Sequence, residues 1–190
     1  MRSSFNGEFF NRSYILESFS ENMDFDINSK LHGWDYSANE LNVRKIEGLD
    51  GRPKIQVRMD LGLMQMEWEG RPDGLSPNGK QTQLDYFLDR QKDSDAENGP
   101  GSFVLSREDC WELAQEAMKF YWRRISFFEL KEYALAERDA RHNLCILNLC
   151  HQYAEAEEDR QMAEQHTPFV TAHCTQARAL SHLDGEQHSK

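Results

Sequence analysis

Cysteine and histidine side chains, which can bind metals or carry out thiol chemistry, are frequent in the second half of the sequence. The candidate set is His142, Cys145, Cys150, His151, His173 and Cys174. Structural zinc sites commonly use ligand pairs spaced C-x2-4-C or H-x3-5-H. Cys145 and Cys150 are five positions apart, so at ~100° per helical residue their side chains diverge by about 140°. We therefore predict no bound metal and no cofactor, and we interpret the cysteines as buried, reduced thiols of a cytoplasmic protein.

Catalysis by one of these thiols would require a histidine within reach and a lowered thiol pKa. His142 stands one helical turn before Cys145, but the interior of a helix seldom presents a thiol to a substrate. The acidic run at 155–159 lacks the alternation and the glycine of an EF-hand, so we interpret it as a solvated helix face. The glycines of GLDGRP and EGRPDG match no phosphate-binding motif and are interpreted as turns. The sequence carries no catalytic signature.

Two consecutive arginines, Arg123 and Arg124, lie inside an aromatic segment. A structural interpretation is that one guanidinium stacks on an aromatic ring or pairs with Glu129 or Glu132, while the other extends to solvent. A functional interpretation is that they bind a partner, because arginine holds carboxylates in a bidentate fashion. An apolar groove with Arg124 near its rim would then accept a partner helix or an acidic peptide. The predicted partner-binding residues are Tyr121, Trp122, Arg123, Arg124, Phe127 and Phe128.

The arginines fall in the segment 106–150, where apolar residues recur at helical spacing and predict two amphipathic helices. Ser106 is a favourable N-cap, and Asp109, three positions later, completes a capping-box-like pattern. The connection at 130–132 is short, which predicts an antiparallel helical hairpin.

A third helix is predicted after the hairpin. The acidic stretch that follows Cys150 either continues the second helix or breaks and restarts. Thr167 and Pro168 fit the N-cap and the first position of the third helix. Asp184 and Gly185 would end it.

One segment of the hairpin, FELKEYALAERDARHNL, resembles the second half of a tetratricopeptide repeat, with an aromatic residue before the turn, a tyrosine after it and alanines along the second helix. The matching residues are Phe127, Tyr133, Ala136 and Ala140. Arg123, Arg124 and Asn143 depart from the pattern, and one motif of about 34 residues is matched without a second copy. The segment KEYALAERDA is also similar to the UvrB/UvrC-motif helical hairpin. Uncharacterised bacterial proteins pair such a hairpin with a segment similar to KIQVRMDLGLMQMEWEGRPDG. These resemblances imply a helical hairpin and no known reaction.

The first half of the sequence predicts a small antiparallel β unit. A strand is expected near 41–46, followed by a turn at 49–51. A longer strand is expected at 54–68, because apolar and polar residues alternate there. The alternation shifts by one residue at Gly62, which predicts a β-bulge or a bend. The turn at 72–74 ends the unit.

We predict four segments along the chain. Residues 1–32 form a poorly ordered tail with a short strand at 13–16, and residues 33–92 form the β unit with a short helix. Residues 93–102, rich in Asp, Asn, Gly and Pro, form a flexible linker. Residues 103–185 form a helical bundle.

The acidic composition restricts the class of partner. The chain has 33 acidic against 22 basic residues, a net charge of −11, so it lacks the positive surface that binds nucleic acid. No apolar run approaches the ~18 residues of a membrane span. The N-terminus lacks the apolar core of a signal peptide. We therefore expect no nucleic-acid partner, no membrane partner and a cytoplasmic location, and leave a homo-oligomer open.

The predicted fold class is α+β, with a small antiparallel β unit followed by an all-α bundle built on the tetratricopeptide-repeat-like hairpin. The predicted function is a non-enzymatic adaptor that binds a protein partner. Two alternatives remain: a small metal- or redox-sensing protein that uses the cysteine and histidine cluster, and an enzyme whose site has no linear motif.

Overall fold

The computed structural model describes residues 26–187, with side chains as far as residue 184. The chain divides into two compact units, Met1–Asp35 and Tyr36–Lys190. Everything that positions the candidate site belongs to the second unit.

The described part of the first unit contains a short helix, α1 (Ile27–Leu31). The Asp26 carboxylate caps it by accepting a 2.9 Å hydrogen bond from the Asn28 amide. The predicted tail at 1–32 is therefore helical near its end, because Asp26 satisfies an amide of the first turn. The strand predicted at 13–16 lies outside the described residues.

The second unit begins with a three-stranded antiparallel sheet of order β1-β2-β3, which confirms the small antiparallel β unit. The strands are β1 (Val43–Glu47), β2 (Pro53–Met59) and β3 (Gly62–Glu67). The turn between β1 and β2 uses Gly51 at a φ of 72°, as the predicted turn requires.

The single long strand predicted at 54–68 is instead two strands joined by a two-residue turn at 60–61. Met59 pairs with Gly62 and Val57 pairs with Met64. Paired residues share a face of the sheet. The odd-numbered apolar residues of β2 and the even-numbered apolar residues of β3 therefore face the same way. The shift at Gly62 marks this hairpin rather than a bulge, and the Asp-Leu turn lacks the usual hairpin signal of Asn-Gly or Asp-Gly.

Four longer helices follow the sheet after one 3-10 turn (Pro77–Gly79). They are α2 (Gln83–Asn98), α3 (Arg107–Glu129), α4 (Tyr133–Tyr153) and α5 (Glu157–Gln187). The sheet followed by helices confirms the α+β class.

The predicted hairpin is confirmed in α3 and α4. A reciprocal capping box starts α3: the Asp109 amide donates to the Ser106 hydroxyl, and the Ser106 amide donates to the Asp109 carboxylate. The turn to α4 places Lys131 at a φ of 60°. Its amide and that of Glu132 bond to the carbonyls of Phe128 and Phe127, which closes the end of α3.

The predicted linker at 93–102 is largely helical, because α2 continues to Asn98. Gly99, at a φ of 90°, ends the helix. The polar residues of 93–98 occupy the outer part of a helix whose buried residues, Gln83, Leu84 and Phe87, lie near its start. Polar composition alone therefore gave the wrong structure for this segment.

The described residues of the predicted segments 33–92 and 103–185 share a core. The apolar face of the sheet packs directly on the helical hairpin. This cluster comprises Ile55, Val57, Met66, Trp68, Phe127, Ala136 and Ala177. The Trp68 and Phe127 rings meet edge to face, with centroids 5.0 Å apart.

The last helix is continuous across the point at which a helix start was predicted. The acidic stretch after Cys150 breaks and restarts: α4 ends at Tyr153, and α5 begins at Glu157 and runs through Pro168 to Gln187. The Thr167 hydroxyl is not a cap, since it donates to the Ala163 carbonyl one turn earlier at 2.8 Å. The helix also passes the predicted stop at 184–185.

Candidate ligand-binding cleft

Arg123, one of the predicted partner-binding residues, is instead a buried structural cation with an exposed fraction of 1%. Its Nε and Nη2 donate to the two carboxylate oxygens of Asp139 on α4, at 2.7 and 2.9 Å. Its Nη1 donates to the carbonyls of Glu67 and Gly70, at 3.1 and 2.8 Å. Arg123 therefore ties the end of the sheet to both helices of the hairpin and cannot contact a partner.

Arg124, the next residue, is also fully buried, with an exposed fraction of 0%, but it is not paired. Its Nε, Nη1 and Nη2 lack a hydrogen-bond partner anywhere in the described residues. The guanidinium lies 5.3 Å from the ring centroid of Tyr121 and 5.9 Å from that of Phe169. Burial lowers its pKa from the ordinary arginine value, yet arginine remains charged at neutral pH.

Arg124 lies in a cleft of about 460 Å³ between α3, α4 and α5. The cleft exists because α4 packs closely along both neighbouring helices, whereas α3 and α5 have little direct contact with each other. The cleft is lined by Cys110, Ala114, Ala117, Met118, Tyr121, Arg124, Asn143, Ile146, Leu147, Cys150, Asp159, Met162, Ala163, His166, Phe169 and Val170.

The cleft walls are predominantly apolar. Ile146, Ala163 and Val170 are buried in its interior, whereas Met118 and Met162 are exposed. Methionine is flexible and adapts to ligands of irregular shape. The composition is that of a small-molecule site: apolar walls with a few polar groups.

The opposite end of the cleft holds two thiols and a carboxylate. Cys110 of α3 and Cys150 of α4 are both buried free thiols that share a hydrogen bond. This bond and burial raise the pKa of Cys150, so its thiol stays protonated at neutral pH. Asp159 of α5 has an exposed fraction of 7%, and its Oδ2 lacks a hydrogen-bond partner among the described residues.

The burial of Asp159 corrects the prediction that the run at 155–159 is one solvated face. Glu155, Glu157 and Glu158 are exposed as expected. Asp159 differs because it lies on the inward face of α5, one turn before Ala163.

The predicted partner-binding residues are divided between the cleft and the core. Tyr121 and Arg124 line the cleft, although Arg124 lies deep inside it rather than at a rim. Phe127 is fully buried against Trp68, so it is not available to a partner. Trp122 and Phe128 are half-buried and pack on the core beneath the sheet.

The structure separates the cysteine and histidine cluster. Cys145 and His151 are exposed, so Cys145 is not the buried thiol predicted. Cys174 is buried against Ala140 and Val170. Among the described residues, no three His, Cys, Asp or Glu side chains converge in a way that could hold a metal ion.

His142 belongs to a different buried network, centred on Glu116. The Glu116 carboxylate accepts hydrogen bonds from the Gln83 and Leu84 amides at 2.7 and 3.0 Å, and His142 Nε2 lies 3.0 Å away. Arg71 Nε forms an ion pair with it at 3.0 Å. Each of these groups is a donor or a cation, so the buried carboxylate is well satisfied. The network joins α2, α3 and α4 and therefore has a structural role.

The α5 side of the cleft was missed by sequence reasoning. Its lining residues recur at three- and four-residue steps from Asp159 to Val170, which is a helical pattern. The assumption of a helix start at Thr167 divided that pattern in two.

The comparisons with known proteins provide no family for this chain. No family model matches it, and neither the curated proteins nor the solved structures give a match. Among the described helices, none has the length and apolarity needed to cross a membrane.

Proposed function

We propose that this protein is a non-enzymatic binding protein, and that its interhelical cleft takes a small apolar ligand whose anionic group pairs with Arg124. The observation that carries the proposal is the fully buried guanidinium, with three nitrogens that lack acceptors in the described residues, at one end of an apolar cleft.

An unpaired buried charge is costly, by roughly 3–5 kcal/mol when a partner is removed from a buried pair. Tyr121 and Phe169 offset part of this cost through cation–π contacts, which contribute roughly 0.5–2 kcal/mol. A carboxylate would offset more, because it can accept two parallel hydrogen bonds from one guanidinium. The site is therefore complete only with an anion.

The shape of the cleft favours an extended chain over a compact ring. Its α3 lining runs from Cys110 to Arg124, a distance of fourteen residues, or ~21 Å at 1.5 Å per residue. Apolar side chains line the intervening length. A long-chain carboxylate combines the required apolar body with the required anionic group.

A small ligand fits these dimensions better than a partner helix. The cleft volume of about 460 Å³ is within the range of roughly 300–1,000 Å³ that small-molecule sites occupy. An α-helix with its side chains is roughly 10–12 Å across, and it could not bring a carboxylate to the depth of Arg124 without displacing α3 or α5. The adaptor function expected from the sequence remains a prediction.

Catalysis is not part of the proposal. The cleft thiols, Cys110 and Cys150, share a hydrogen bond that lowers the pKa of Cys110 and raises that of Cys150. A thiol nucleophile also requires a base, but His142 is held by Glu116 outside the cleft, and no described histidine is among the groups that shift the pKa of either thiol.

The test is isothermal titration of the protein with three ligands that differ only in head group: dodecanoate, dodecanol and dodecyltrimethylammonium. The carboxylate is expected to bind about tenfold or more tighter than the alcohol, because a hydrogen bond to a charged group contributes ~1.5–3 kcal/mol. The cation should bind least.

Arg124→Met, which keeps an unbranched apolar side chain and removes the charge, should abolish the preference for carboxylate while retaining dodecanol binding. Arg107→Met is the matched control, since Arg107 is an exposed arginine on the same helix. Equal affinity for the three head groups would contradict the proposal. Binding of an acidic amphipathic peptide in place of dodecanoate would support the adaptor function instead.

A further inference from the structure

We propose that the ligand also carries a hydroxyl group at the end remote from its anionic group, and that Asp159 accepts a hydrogen bond from it. The ligand class is then a long-chain carboxylic acid with a terminal hydroxyl. This inference rests on the proposed function, because it concerns the second end of the same cleft.

The observation is independent of Arg124. Asp159 comes from α5 and is more than nine-tenths buried, yet within the described part of the chain its Oδ2 has no hydrogen-bond partner. The side chain lines the cleft. A buried carboxylate oxygen without a donor is unfavourable, as is a buried guanidinium without an acceptor.

The two groups lie at opposite ends of the cleft. At the Asp159 end, the hydrogen bond between Cys110 and Cys150 links α3 to α4. At the other end of the cleft, Phe169 contacts Arg124. Arg124 follows Cys110 by fourteen residues on α3, which corresponds to ~21 Å. Asp159 therefore does not neutralise Arg124, and an extended ligand can contact both.

The chemistry at the Asp159 end selects a hydroxyl group. A carboxylate only accepts hydrogen bonds, so the ligand must donate. An ammonium has three donors to satisfy, whereas only one carboxylate oxygen is unpaired at this end. The neighbouring Cys150 thiol is protonated, because its hydrogen bond with Cys110 and its burial raise its pKa. A second carboxylate would face Asp159 as a like charge.

Asn143, on the cleft floor, also has an unpaired buried oxygen. Its amide can rotate to present either a donor or an acceptor. It therefore specifies no ligand group, and the inference does not depend on it.

The experiment compares three ligands of equal chain length: the alkanoate, its ω-hydroxy derivative and the α,ω-dicarboxylate, in a series from dodecanoate to hexadecanoate. Each is titrated into the wild-type protein and into Asp159→Leu, which removes the acceptor and keeps the branching at Cγ. Glu158→Leu is the matched control, because Glu158 is the exposed preceding residue. Thermal melts establish that each variant is folded.

At the chain length that spans the cleft, the ω-hydroxy acid should bind the wild-type protein about tenfold tighter than the alkanoate. The dicarboxylate should bind about tenfold more weakly or worse. In Asp159→Leu, both differences should disappear, and the plain alkanoate should bind at least as tightly as before. Glu158→Leu should leave all three affinities unchanged.

Equal affinity for the alkanoate and its ω-hydroxy derivative at every chain length would overturn this inference and leave the proposed function intact. A hydroxyl-dependent gain that survives in Asp159→Leu would also overturn it, as would an ω-amino acid that binds tighter than the ω-hydroxy acid. If no member of the series binds, or if the affinities are unchanged in Arg124→Met, both the proposed function and this inference fail.

Discussion

Arg123 and Arg124 are adjacent on α3 and both buried, but only Arg123 has an acidic partner. Arg123 Nε lies 2.7 Å from Asp139 Oδ2, whereas all three nitrogens of Arg124 lack hydrogen-bond partners in the described residues. Successive side chains on a helix point about 100° apart, so one arginine faces Asp139 and the end of the sheet while the other faces the cleft. The two residues provide a matched comparison between a structural cation and one that we propose binds a ligand.

Arg123→Met should destabilise the fold strongly. Loss of the guanidinium leaves the buried Asp139 with only the more exposed Arg138, whose Nε lies 3.2 Å from Asp139 Oδ1, and removes two hydrogen bonds to the carbonyls of Glu67 and Gly70. The expected loss in unfolding free energy is about 3–5 kcal/mol, measured by urea denaturation.

The double variant Arg123→Met/Asp139→Leu should recover a large part of that loss, because it removes both charges together. Arg141→Met is the control for a surface pair, since Arg141 is exposed and pairs with Glu137; little change is expected. A double variant as unstable as the single one would show that Asp139 is not the main partner of Arg123.

Arg124→Met should have the opposite effect on the ligand-free protein. It removes an unpaired buried charge and leaves an apolar side chain beside Tyr121 and Phe169. We expect the unfolding free energy to rise by about 1 kcal/mol, once the lost cation–π contacts are subtracted. Urea denaturation of Arg124→Met and Arg123→Met, measured in parallel, compares the two. A fall in the unfolding free energy of Arg124→Met by about 2 kcal/mol or more would mean that Arg124 supports the fold.

Glu116 should make stability depend on pH in the acid range. Burial raises its pKa, but the hydrogen bonds from His142, Gln83 and Leu84 outweigh burial, so the net pKa is lowered. Because the folded-state pKa lies below the unfolded value of about 4.3, the unfolded state binds the proton more readily. The contribution of Glu116 to stability is therefore fully present above the unfolded-state pKa and is lost as the pH falls through the lower, folded-state pKa.

Chemical denaturation at a series of pH values tests this expectation. Glu116→Gln should lower stability at neutral pH and should show a smaller further loss on acidification than the wild-type protein. An identical acid dependence in both proteins would assign the effect to other carboxylates.

The helical hairpin could be predicted from the sequence because its determinants are local. The capping box of Ser106 and Asp109 and the short turn after Glu129 each depend on residues that are close together in the sequence. The tetratricopeptide-like resemblance of this hairpin, in contrast, remains a prediction, since no comparison supports or opposes it.

The partners of the arginines could not be predicted, because they depend on tertiary packing. The sequence suggested Glu129 or Glu132 as partners, but Asp139, on the facing helix, is the residue that pairs with Arg123. Aromatic stacking was foreseen and is found at Arg124, although one of its two rings, Phe169, comes from α5. The cleft itself arises from the separation of α3 and α5, which no local pattern encodes.

The central claim is that Arg124 pairs with the anionic group of a ligand inside the cleft. Nuclear magnetic resonance of the arginine Nε–Hε groups tests it directly, because each guanidinium reports its own hydrogen bonding. When an alkanoate is added to saturation, the Arg124 signal should shift and its exchange with water should slow, while the signal of Arg123, already bonded to Asp139, stays in place. The corresponding alcohol should leave the Arg124 signal unchanged. An Arg124 signal that does not respond to the alkanoate, while the backbone amides of Ala163 and Val170 do, would contradict the account.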